Sequence, residues 1–205
     1  MTRDEKEKRI LDAALKLFAR YGYKKTTLED VAAAADMTKS NIYFYVKDKR
    51  DLYEKTVGNA LSQWRDVVSD AVNAESDVVN KFRVMATGSF EYLIRHSDLR
   101  AILVNDPGIF SLTPGEDRFY EINRGAVRII FDILKTGVSR KVFYPVDIHH
   151  MSEFLFSVYI MFLIRTYVKS EGRSAAKMYE EGLNLAIRGL CSRDYNRRPD
   201  DGHPK

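Results

Sequence analysis

The chain has 205 residues, an apolar share of 45% and one cysteine, which is enough for a sizeable packed core and far from disordered composition. The lone Cys191 excludes an internal disulfide and a cysteine-built zinc site, and points to a reducing cytosol. Residues 1–50 carry 12 Lys and Arg against 8 Asp and Glu, so the whole net charge of +4 sits there and the remainder is neutral. A basic module on a neutral body suits phosphate contacts, because counterion release supplies most of the sequence-independent affinity for nucleic acid.

In chain order, MTRDEKEKRI lacks the apolar core of a secretory signal and reads as an exposed first turn or flexible arm. A helix follows to about Tyr21, with Ile10, Leu11, Ala14, Leu15, Leu17, Phe18 and Tyr21 on one stripe, and Gly22 ends it. Thr27, with Asp30 three residues on, opens a second helix, LEDVAAAA, as a capping box. The alanines from Ala32 to Ala35 favour helix and allow another helix to approach closely. Asp36 and Met37 stand where the chain must turn, Asp tolerating positive φ better than most residues, and Thr38 is the N-cap of a third helix. There Ile42 faces inward, leaving Lys39, Asn41, Tyr43 and Tyr45 to a partner. Two short helices around a tight turn outline a helix-turn-helix, whose second helix lies in the DNA major groove. A purely structural three-helix bundle has the same spacing.

The run from Arg9 to Tyr53 resembles the N-terminal DNA-binding domain of TetR-type transcriptional regulators. The likeness rests on ILDAALKLFARYGY, on Thr26 and Thr27, and on the K-x-x-I-Y-x-Y-x-K-x-K-x-x-L run from Lys39 to Leu52. The sequence departs from that pattern at Asp36, where glycine is usual, at Ser40, where a small residue is common, and at Val46, where phenylalanine is usual. None of these removes a donor from the reading face. The resemblance implies that Lys39, Ser40, Asn41 and Tyr45 approach base edges, while Thr26, Thr27, Thr38, Tyr43 and Lys49 meet phosphates. Lys39 can donate to guanine O6 and N7, and Asn41 can pair with adenine.

Beyond the module, Lys49 begins a long helix with Leu52, Tyr53, Val57, Ala60, Leu61, Trp64, Val67, Val68 and Ala71 on its apolar face. Further helices are expected at Ser76–Arg95, Asp98–Val104 and about Glu116–Gly137, with a Pro- and Gly-containing loop, NDPGIFSLTPGED, before the last of these. Two C-terminal helices, about 147–170 and 174–193, are separated by SEGRS. The first is apolar on nearly all sides across FLFSVYIMFLI and reads as buried all round; the second carries Ala176, Tyr179, Leu183, Ala186, Ile187 and Leu190 on one face. This pair offers more apolar surface than one subunit covers, and the resemblance implies that two such helices pair with those of a second copy. The expected interface comprises Phe154, Val158, Tyr179, Leu183, Ala186, Ile187 and Leu190.

The expected architecture is therefore all-α, with about nine helices: a helix-turn-helix domain at 1–50, an effector-binding and dimerisation domain at 51–193, and a disordered tail at 194–205. Trp64, Phe82, Tyr92, Phe110, Phe131, Tyr159 and Phe162 are candidates to line a pocket for a small apolar or aromatic effector; each fits an ordinary core as well. The longest apolar run, Phe154–Ile164, falls short of the roughly 20 residues that span a bilayer, so no membrane partner and a cytoplasmic location are expected. No catalytic constellation, metal site or cofactor is expected: His149 and His150 diverge on a helix, and Glu153 reads as a surface salt link. The implied function is a homodimeric repressor on a pseudo-palindromic operator, released by an effector. An effector-independent regulator or activator uses the same module, and a helical enzyme with a basic N-terminal domain stays as the remaining alternative.

Overall fold

The computed structural model describes residues 1–110, 115, 117–169 and 172–192. The expected tail at 194–205 lies outside the described residues, as do parts of the two expected loops, at 111–114, 116 and 170–171. The helices are α1 (Arg3–Lys25), α2 (Leu28–Ala34), α3 (Lys39–Ile42), α4 (Lys49–Ala74), α5 (Val78–Arg95), α6 (Ser97–Asn105), α7 (Tyr120–Ser139), α8 (Ile148–Leu163) and α9 (Gly172–Leu190), with a 3-10 turn at Pro107–Ile109 and a π-helical turn at Ile164–Val168. Among the described residues there is no strand, and the all-α expectation holds; an isolated bridge joins Phe143 and Cys191.

The first residues are helix rather than an arm. Thr2 caps α1, its hydroxyl accepting from the Glu5 amide while the Glu5 carboxylate accepts from the Thr2 amide; this reciprocal pair satisfies two amide groups that a helix start otherwise leaves open. Gly22 takes φ 78°, ψ 164° and turns the chain at the end of the regular helix.

Two compact units divide the chain. The first contains Met1–Val67 with Ser89–Asn123, and within it α6 packs against α1. Its core includes Ile10, Ala14, Phe18, Val31, Ile42, Leu52, Val57, Leu99 and Ile102. The second contains Val68–Gly88 and the described residues from Arg124 onward, with Val72, Phe82, Ile130, Leu134, Leu163, Leu183 and Ile187 buried. The three unit boundaries fall inside α4, α5 and α7, so none coincides with a loop. Along α4, Val67 and Ala71 are exposed and Val72 is buried in their place. The buried alanine near the start of α9 is Ala175, with Ala176 exposed.

One expectation is overturned in the second unit. Helix α8 is not buried all round: Phe154 is 60% exposed and Met161 is also at the surface. Its apolar composition measures how much surface needs cover, and a single chain covers only part of it.

Candidate nucleic-acid interface and apolar cavity

Three local devices build the reading surface. The Thr27 hydroxyl accepts from the Asp30 amide at 3.1 Å, and the Asp30 carboxylate accepts from the Thr27 amide at 2.9 Å and from its hydroxyl at 2.7 Å. That set starts α2 and holds the Asp30 carboxyl below the usual carboxylate range, with the Thr27 hydroxyl as the largest cause. After α2 the chain reverses through Asp36 at φ 51°, with the Met37 amide donating to Ala32 O at 2.8 Å and Arg9 ion-paired to the Asp36 carboxylate. Thr38 then caps α3 by accepting from the Asn41 amide at 3.3 Å.

Helix α3 is shorter than expected and ends at Ile42. The chain coils on through turns, Tyr45 N donating to Ile42 O at 2.9 Å and Val46 N to the same oxygen at 3.1 Å. Ile42 and Val46 are buried beneath, so Tyr43 and Phe44 between them are displayed outward. Ser40 and Asn41 are exposed, Tyr43 is 50% exposed, and Phe44 is 76% exposed. Phe44 was missed by the sequence reading, although a signal existed: it lies four residues after Ser40, a spacing that shares a helix face.

The remaining candidates are placed unequally. Lys39 Nζ stands 2.5 Å from the Glu29 carboxylate of α2 and 5.9 Å from the Tyr43 ring centre. Each charge supports the other: the hydrogen bond to Lys39 lowers the Glu29 pKa, and the bond to Glu29 raises that of Lys39. Lys49 Nζ reaches the Lys24 carbonyl at 3.4 Å and lies 4.6 Å from the Tyr23 ring centre. Tyr45 is half-buried, its carbonyl accepting from Lys55 Nζ at 2.6 Å. Thr26 is not on the surface at all. It is 1% exposed, and its hydroxyl faces the carbonyls of Gly22 at 3.0 Å and Leu17 at 3.2 Å; it seals the end of α1, because the turn at Gly22 carries it inward.

The candidate pocket aromatics are divided between the units. In the first, Trp64 lies 6.1 Å from Tyr92 and 6.4 Å from Phe110, centre to centre, and the buried Trp64 Nε1 has no hydrogen-bond partner among the described residues. In the second, Phe82, Tyr159 and Phe162 line a cavity of about 310 Å³ together with Met85, Ala86, Ile130, Phe154, Leu155, Val158, Tyr179, Gly182, Leu183, Leu185 and Ala186. Its wall is almost wholly carbon. The Tyr179 hydroxyl donates to Ala86 O at 3.3 Å, and burial pushes its pKa up. Phe131 does not line it and packs instead on His149, with ring centres 4.8 Å apart.

Of the expected interface residues, Leu183, Ile187 and Leu190 are buried within the single chain. They serve the core of their own unit. The exposed apolar face comprises Phe154, one of the expected interface residues, and Met161 of α8 with Met178 and Leu185 of α9, Leu185 being 72% exposed. Glu153 pairs with Arg124, not His149, and His150 pairs with Asp147 at 2.8 Å. Among the described residues no cluster of His, Cys, Asp or Glu could hold a metal ion, and no helix is long and apolar enough to cross a membrane.

The chain is similar to known proteins in sequence and in fold. The family model for bacterial regulatory proteins of the tetR family matches residues 10–56. The chain is 24% identical over 188 residues to the uncharacterized HTH-type transcriptional regulator YvkB of Bacillus subtilis, covering 90% of this chain and 97% of that one. It is 33% identical over 58 residues to IcaR of Staphylococcus epidermidis, the negative transcriptional regulator of the biofilm operon icaADBC, covering 28% of this chain and 31% of that one. In fold it is similar to the transcriptional regulator FadR from Bacillus subtilis, solved in complex with stearoyl-CoA, with a TM-score of 0.72, 18% identity and coverage of 89% of this chain and 98% of that one.

Proposed function

This chain belongs to the TetR family of bacterial regulatory proteins and is a DNA-binding transcriptional regulator, and we propose that it acts in the cytoplasm as a homodimeric repressor released by an apolar effector. The observation that carries the reading is the outward display of Ser40, Asn41, Tyr43 and Phe44 on a basic module, over the buried pair Ile42 and Val46. Two copies related by a two-fold axis present two such surfaces to successive major grooves of a pseudo-palindrome. In this reading Lys39 and Asn41 contact base edges, while Thr27, Thr38, Tyr43 and Lys49 position the backbone. Thr26 is left out of the contact set because its hydroxyl is turned inward. Repression follows the role of the similar IcaR as a negative transcriptional regulator.

The exposed face of Phe154, Met161, Met178 and Leu185 supports pairing with a second copy, since water-exposed apolar side chains gain about 25 cal/mol per Å² on burial. The cavity in the second unit supports an effector whose main feature is an apolar chain or ring, its few polar wall atoms leaving little to hold a charged group. The similarly folded FadR is seen with stearoyl-CoA, a ligand that includes such a chain. Control then works by population shift: an effector that favours the conformer with mismatched reading surfaces lowers operator affinity by the ratio of its affinities for the two conformers.

The test is selection of bound sequences from random duplex DNA, followed by titration of the enriched site at two salt concentrations. Enrichment of a palindrome, with affinity lost on Lys39→Ala or Tyr43→Ala, is the expected result. No enrichment, with binding that simply disappears as salt rises, would reduce the module to a basic surface and sink the regulator reading.

A further inference from the structure

A second concave site lies entirely within the first unit. The end of α1 from Phe18 to Lys25, the start of α4 at Arg50, Tyr53 and Glu54, the end of α6 at Ile102, Asn105 and Asp106, and Arg118 enclose a cleft of about 720 Å³. That volume falls within the range of small-molecule sites. Its wall holds five cations and two carboxylates. Both carboxylates are already engaged: Glu54 by Arg50 at 3.0 Å, and Asp106 by Arg118 at 2.6 Å. The other three cations, Arg20, Lys24 and Lys25, have no carboxylate partner among the described residues. The wall therefore carries an excess of three positive charges around a hollow.

The floor is aromatic. Phe18 and Tyr53 meet edge to face at 5.0 Å, Tyr23 meets Tyr53 at 5.1 Å, and the Tyr53 hydroxyl donates to Asp106 at 2.9 Å. Gly22, in the left-handed region, swings the chain so that Tyr23, Lys24 and Lys25 follow the rim, and open space lies over its Cα. Tyr21 and Tyr23 are 47% and 40% exposed, with Arg20 over the Tyr21 ring at 5.1 Å and Lys49 over the Tyr23 ring at 4.6 Å, so a flat ligand ring meets their open edges and remaining faces.

We propose that this cleft binds a small organic phosphate of the nucleotide class, with two or more negative charges on phosphate at Arg20, Lys24 and Lys25 and a flat ring against the tyrosines. A monocarboxylate would neutralise one of the three cations, whereas a diphosphate matches all of them. A flat ring suits tyrosine faces at the rim, where stacking adds to apolar burial. The recessed floor argues against the DNA backbone as the occupant, because a duplex is a convex rod that can reach the rim but cannot fill the hollow.

The test is isothermal titration of the full chain, without DNA, using ADP, adenosine and inorganic phosphate as separate probes. Saturable binding of one ADP per chain is expected, with adenosine and phosphate each weaker by about tenfold or more, and with ADP affinity falling about tenfold in Arg20→Gln and in the Lys24→Gln, Lys25→Gln double variant. These side chains lie at the surface, and circular dichroism of each variant checks that the helices persist. The absence of saturable ADP binding at millimolar concentration overturns the proposal, as does ADP binding that is unchanged in both variants. Loss of affinity for duplexes of every sequence in the same variants, without ADP binding, would assign the cations to the DNA backbone and also overturn it. Because no DNA is present in the titration, failure of the operator reading leaves this result standing.

Discussion

Lys39, the lysine at the start of the reading helix, is ion-paired across the turn to Glu29 of the bracing helix, with 2.5 Å between Nζ and the carboxylate. To donate to a guanine edge it must leave or share that partner. Removing the carboxylate also removes a negative charge from a surface meant for phosphates. Glu29→Gln is therefore expected to tighten operator binding by about threefold at low salt, measured by fluorescence anisotropy. Weaker binding would mean instead that Glu29 aims Lys39 at its base.

Phe44 is the most exposed of the large apolar side chains in the reading module, and a ring in that position has a natural partner in the thymine C5 methyl group. Replacing thymine by uracil in the selected operator removes only that methyl. At the affected position the substitution should weaken the wild-type complex by about fivefold or more and leave the Phe44→Ala complex unchanged. Equal sensitivity of both proteins to uracil would remove Phe44 from the readout.

The α2 cap gives a stability prediction with a pH signature. Thr27→Ala should cost about 1 kcal/mol, read from urea unfolding. The Asp30 carboxyl titrates lower in the folded chain than in the unfolded one. Its contribution is thus complete above an unfolded carboxylate value of about 4 and is lost as pH falls through the lower folded value. Asp30→Asn should accordingly flatten the fall in melting temperature below about pH 4; an unaltered acid limb would show that the cap contributes nothing to folding.

Gly137 of α7 is buried against Phe143, whose ring occupies the space a Cβ at 137 would need. Gly137→Ala should destabilise the chain by about 3 kcal/mol despite the better helix propensity of alanine. Adding Phe143→Leu, which trims the obstructing ring, should recover part of the loss in thermal melts. An alanine variant as stable as the parent would show that Phe143 has another place to go.

Phe154 and Leu185 sit on the exposed apolar face of the second unit. The double variant Phe154→Asp, Leu185→Asp should run as a monomer in sedimentation velocity and lose about a hundredfold or more in operator affinity, since each half-site would then be bound alone. A variant that stays dimeric would place the interface elsewhere.

What could be read in advance was local. Thr27 with Asp30, and Thr38 before Lys39, mark helix starts through contacts three residues apart, and the structure forms both caps. Ile42 could be placed inside by its apolar character alone. Thr26 could not, because its inward turn depends on a positive φ at Gly22. Phe154 and Leu183 are both apolar residues of the C-terminal pair, yet one is exposed and the other buried; composition measures apolar surface without saying which neighbour covers it. Likewise Trp64 and Phe82 could be listed as aromatic but not assigned to different clusters, since that partition is set by contacts between distant helices.

Asp36 holds a left-handed turn that glycine forms without side-chain strain, at a penalty for a non-glycine residue of about 1 kcal/mol, while Arg9 grips its carboxylate from α1. The side chain that makes the turn less comfortable also ties it to the helix beneath. Glycine would make this turn by backbone freedom, whereas aspartate makes it here with a tether to Arg9. A sequence signature that insists on glycine would pass over chains whose turn is already made.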